Sequence, residues 1–105
     1  MILSALLLSC PWLNQATAAG ILGGPVIQTG CDFRGRLELH IEMVKEFKPH
    51  CGSDAVPLRA IGSKAVACPK EVMFRVRDNV FLVSMSVDDR EKLRKVAESV
   101  AGSVF

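Results

Sequence analysis

The first thirty residues of this chain carry no charged side chain, and nothing else in the sequence restricts its fate as strongly. All 13 Lys+Arg and all 11 Asp+Glu lie beyond Gly30. A soluble fold has no need of such a division. A segment that must enter lipid without carrying charge does. Within it, Ile2-Leu3-Ser4-Ala5-Leu6-Leu7-Leu8 is apolar and has the length of a signal-peptide core. Pro11 and the polar pair Asn14-Gln15 follow, then Ala16-Thr17-Ala18-Ala19, whose small residues fit a signal peptidase cleft. Residues 1–19 are therefore expected to be a cleaved signal peptide, with scission near Ala19 or Gly20 and a secreted or periplasmic product. No Lys or Arg precedes the apolar core, as a signal peptide normally requires.

Three other readings compete. An uncleaved anchor would tie the chain to a membrane through this segment alone. Against it, Pro11, Asn14, Gln15 and Pro25 leave no run of about 20 strongly apolar residues. Leu7-Leu8-Ser9-Cys10 resembles a bacterial lipobox with Cys10 as the lipidated residue, although Pro11 directly after it is unfavourable. The segment could also be an ordinary buried element.

Removing residues 1–19 removes Cys10 and leaves Cys31, Cys51 and Cys68. Three cysteines in an exported chain imply one bridge and one leftover thiol, or a bridge to another chain. All three pairings are open. Cys51–Cys68 is preferred, because it closes a short segment with turn residues inside it and would contribute about 3 kcal/mol. Cys31 then remains as the leftover thiol and as a route to a homodimer. Such a staple matters, because a domain this small has a marginal core.

Beyond an N-terminal arm expected to be flexible (residues 20–35), residues 36–105 read as one small domain. Arg36 to Val44 alternates, with Leu37, Leu39, Ile41 and Met43 on one face and Glu38, His40 and Glu42 on the other. Period two is the mark of a half-buried strand. Ala55 to Ile61 is a weak strand that Pro57 confines to an edge, and Lys64 to Cys68 is a short one. Glu71 to Arg77 alternates again, Asp78-Asn79 suits a two-residue turn, and Val80 to Met85 is apolar enough for a central strand. Leu93, Val96, Ala97 and Val100 then form one helical stripe, with Asp88 or Ser86 as its start and Gly102 as its end. The expected fold is α+β: a mainly antiparallel sheet of 3–5 strands with one C-terminal amphipathic helix packed on it.

The chemistry-bearing residues all have strong structural explanations. His50-Cys51 places an imidazole beside a thiol, but neighbours on extended backbone point apart. The spacings of Cys31, Cys51, Cys68, His40 and His50 match no zinc motif. Glu38 and Glu42 flank His40 as a solvent face would. Arg34, Arg36, Arg75 and Arg77 are candidates for an anion-binding patch, although interleaved acids make them ordinary outer-face residues. Val80 to Val83 would pair with another chain if its edge were open, a second route to a homodimer. No phosphate-binding glycine loop, nucleophile elbow or dinucleotide fingerprint occurs, so no cofactor is expected. The net charge of +2 gives no reason to expect nucleic acid as a partner.

Cys68-Pro69-Lys70-Glu71-Val72-Met73-Phe74, the turn at Asp78-Asn79, Val80 to Val83 and the C-terminal helix resemble the second half of a chemokine. The resemblance covers about a third of the chain and would imply a secreted signalling ligand that meets its receptor through the N-terminal arm. The chain departs from that family at Ser84, where the family has a cysteine, and it lacks the family's paired N-terminal cysteines. The favoured expectation is a small exported binding module with a protein partner and no catalytic site. A chemokine-like ligand and a thiol-dependent enzyme or redox protein are the alternatives.

Overall fold

A computed structural model describes residues 9–104. The apolar stretch read as a signal-peptide core, residues 2–8, lies outside the described residues. The architecture is α+β, with helix α1 (Gln15–Leu22), strands β1 (Ile27–Thr29), β2 (Asp32–Arg34), β3 (Glu38–Val44), β4 (Val56–Pro57), β5 (Lys64–Cys68), β6 (Glu71–Val76) and β7 (Asn79–Met85), and helix α2 (Arg90–Ser103). All strands join one antiparallel sheet in the order β1-β2-β3-β7-β6-β5-β4. The sheet thus has seven strands rather than the expected 3–5. Two of the additions, β1 and β2, come from residues 20–35, the stretch expected to be a flexible arm. There Phe33 is fully buried and pairs with Gln28 and Leu39.

The strands form where alternation matches the pleat. Leu39 and Ile41 of β3, Val72 and Phe74 of β6, and Phe81, Val83 and Met85 of β7 point to one face, beneath Leu93, Val96, Ala97 and Val100 of α2. Phe74 and Phe81 stack there at 5.4 Å. Met43, at the end of β3 on this face, is 49% exposed because the helices do not reach it. The second face has its own small core of Val66, Met73, Val80 and Leu82, covered by Phe47 and Ala55 from the 45–55 loop. β7 lies at the centre of the sheet and is covered on both sides. Val80 to Val83 is therefore no edge; the sheet's edges are β1 and β4. Pro57 sits on the β4 edge, where its missing N–H costs no ladder bond.

Turns and caps differ slightly from expectation. Val76 pairs with Asn79, so the β6–β7 turn is Arg77-Asp78, one residue earlier than the Asp78-Asn79 reading, with Arg77 at φ 57°. The α2 N-cap is Asp89, which accepts from the Lys92 N–H at 3.1 Å. Asp88 instead accepts from the Lys70 N–H at 3.1 Å. The helix runs one residue past Gly102.

The N-terminal region is built into the same body. Asn14 caps α1 by accepting from the Thr17 N–H at 2.7 Å, and Gly23 ends it at φ 84°, a conformation that suits glycine. Leu13, Ala18 and Leu22 are buried in the main core. No helix among the described residues is long and apolar enough to cross a membrane.

Candidate functional site

The most organised polar cluster lies on the sheet face away from the helices, where β2, β3 and β7 run side by side. Register decides its membership. Asp32 pairs with His40 across β2 and β3, and His40 pairs with Ser84 across β3 and β7. Alternation along β3 turns Glu38, His40 and Glu42 to this face because Leu39 and Ile41 fill the other. The Nδ1–H of His40 donates to Asp32 Oδ1, and Nε2 lies 3.5 Å from Glu42 Oε2. Both ring nitrogens therefore face carboxylates. Partial burial by itself would lower the His40 pKa. The hydrogen bond and charge of Asp32, joined by those of Glu42, outweigh it and hold the pKa above its ordinary value of 6.5.

Asp32, Arg34, Glu38, His40, Ser84 and Ser86 border a shallow depression of about 250 Å³, which the chain at Leu39 and Met85 also lines. The sequence of groups Asp32, His40, Ser84 has the residue types of a nucleophilic triad. The geometry has different chemistry. His40 Nε2 is directed at Glu42, 3.5 Å away, and Nδ1 at Asp32, so both ring nitrogens are turned to carboxylates and neither to the Ser84 hydroxyl. The cluster is suited to presenting fixed, mixed charge to a ligand.

A second histidine–carboxylate contact holds the 45–55 loop onto the same face. His50 Nδ1 lies 2.7 Å from Glu71 Oε1, and next to it Cys51 is bonded to Cys68. Between this loop and the sheet lies a cleft of about 400 Å³ bordered by Glu42, Glu46, Lys48, His50, Met73 and Leu82. His50 and Cys51 thus act in neighbouring fastenings of one loop and do not form a nucleophile–base pair.

Cys31, expected to hold the leftover thiol, is bonded to Cys10. With both bridges in place none of the four cysteines is free. The four arginines of the anion-patch reading do not converge. Arg34 lies on β2 beside Glu38 at 3.7 Å, and Arg75 lies on β6, with β3 and β7 between. Arg36 and Arg77 occupy separate turns. The segment resembling a chemokine's second half is the β6–β7 hairpin with α2, in which Ser84 lies across from His40 and Glu71.

Asp32 escaped the sequence reading altogether. Its role depends on β2, whose three residues are too few to display a period. Among the described residues no group of three or more His, Cys, Asp and Glu is placed to hold a metal ion. Comparison with protein families, curated proteins and solved structures yields no match to this chain.

Proposed function

We propose that this chain is a small exported binding module that works by contact with a protein partner and has no catalytic site of its own. The observation that carries this reading is the clamping of His40 between Asp32 and Glu42 at a half-exposed position of the sheet face. A side chain fixed in direction by two charged neighbours is suited to recognition, and its ring nitrogens are engaged by Asp32 and Glu42 and not by Ser84. Export is supported by the cysteines: all four are paired within the chain, as suits an oxidising compartment.

Placing a photo-crosslinking residue at Glu38, on the rim of the depression, tests this in the exported protein. A discrete protein adduct is expected there and none from Glu91 on the outer side of α2, and His40→Gln should abolish it. Equal labelling from both positions would remove the surface assignment. Hydrolytic turnover that disappears in His40→Gln or Ser84→Ala would overturn the non-catalytic reading.

A further inference from the structure

The structure assigns residues 10–22 to the mature folded domain, so that export processing, wherever it falls upstream, leaves Cys10 in the product and does not cut at Ala19. This inference rests on the export reading above. A signal peptide is held in the membrane and removed, and it leaves no hole in the domain it delivers. Residues 10–22 would leave a large one. Leu13, Ala18 and Leu22 are 4%, 0% and 6% exposed in the main core. The Trp12 ring meets Phe81, on the central strand, edge-on at 5.1 Å. Gln15 Nε2 donates to the Val26 carbonyl at 2.7 Å, and Ser103 Oγ, in the last turn of α2, shares its one proton between the Val100 carbonyl at 2.7 Å and the Trp12 carbonyl at 3.1 Å. Cys10 is bonded to Cys31.

Scission at Ala19 would cut through α1 and separate Asn14, its N-cap, from Gly23, its C-terminal stop. It would strip core from α2 and β7 and leave Cys31 without its partner. The small residues Ala16 to Ala19, which look like a peptidase site in sequence, have a packing role here. Ala18 has no exposed surface, and a larger side chain there would have nowhere to go. The processing step is the hydrolysis of a peptide bond upstream of Cys10. Water supplies hydroxyl to the leader's new carboxyl end and a proton to the domain's new amine. Lipidation of Cys10 is incompatible with this structure, because its sulfur is already bonded to that of Cys31.

The chain contains one tryptophan, Trp12, and no tyrosine, which makes the test direct. The full-length chain is expressed in an exporting host and recovered from the oxidising compartment for intact-mass analysis, thiol titration in denaturant and fluorescence excited at 295 nm. An N-terminus at or before Cys10, no titratable thiol and tryptophan emission are expected. A product beginning at Gly20, with no tryptophan emission and one thiol per chain, would overturn the inference and leave export standing. A lipid mass on Cys10 with Cys31 free would also overturn it. Intact chain found only in the cytoplasm with four reduced thiols would instead defeat the export reading, and the processing site with it. Leu13→Ala gives a second readout. It should lower the melting temperature of the exported product by about 10 °C or more, as a core truncation does in a domain of this size. An unchanged melting temperature would mean that residue 13 is absent from the product or outside its core.

Discussion

Two residues show how much a single position decides here. Gly62 has φ 58°, and a Cβ built on it would stand 2.1 Å from the Arg75 carbonyl oxygen. That oxygen also accepts the Ser63 N–H at 2.9 Å, so it cannot move freely. Gly62→Ala should cost at least about 2 kcal/mol in urea unfolding, from left-handed strain and backbone contact together. His40 sets a pH dependence of defined sign. Its folded pKa is raised, chiefly because Asp32 and then Glu42 overcome the effect of burial. The stabilisation is therefore fully present below the unfolded value of about 6.5 and is lost as pH rises through the higher folded value. Arg34 and Glu38 also border the site, and their charges set the background in which the imidazole titrates. The pair is partly exposed, so its share is less than about 1 kcal/mol. Chemical denaturation from pH 5 to 9 should show this decline, and His40→Gln should flatten it.

At the scale of elements, the 45–55 loop depends on its fastenings. Cys51 and Cys68 are separated by 17 positions, and replacing both with serine should remove about 3 kcal/mol. Hydrogen exchange should quicken first in residues 45–55, above the Val66, Met73, Val80 and Leu82 core, while β3 and β7 stay protected. The elements also show what a sequence displays. β3, β6, β7 and α2 were legible because each is long enough to repeat its period several times. β1 and β2, at three residues each, repeat nothing, and Asp32 was hidden with them. α1 was obscured for another reason: its Ala-rich, uncharged sequence meets the needs of a lipid-crossing segment and of a helix packed closely on a core equally well. His40 and Glu42 could be placed on one strand face from alternation alone. Their carboxylate neighbour could not, because it comes from a different strand.

In the whole molecule, Trp12 and Phe81 connect the N-terminus to the centre of the sheet. Phe81→Ala should destabilise by about 3–5 kcal/mol and shift Trp12 emission to longer wavelength, since the indole loses its buried neighbour. Refolding with both bridges intact should take milliseconds to seconds, slow for so short a chain, because the two halves of the sheet meet through distant strands.

That meeting has a consequence for how the molecule is made. β3 draws its neighbour from near the far end of the polypeptide, joining Leu39 to Met85. Until Met85 has been synthesised, β3 has only the short β2 beside it, and the later strands form a separate ribbon with an unsatisfied border. A nascent chain in that condition cannot close its sheet: the two halves become one body only once β7 has emerged to lie beside β3.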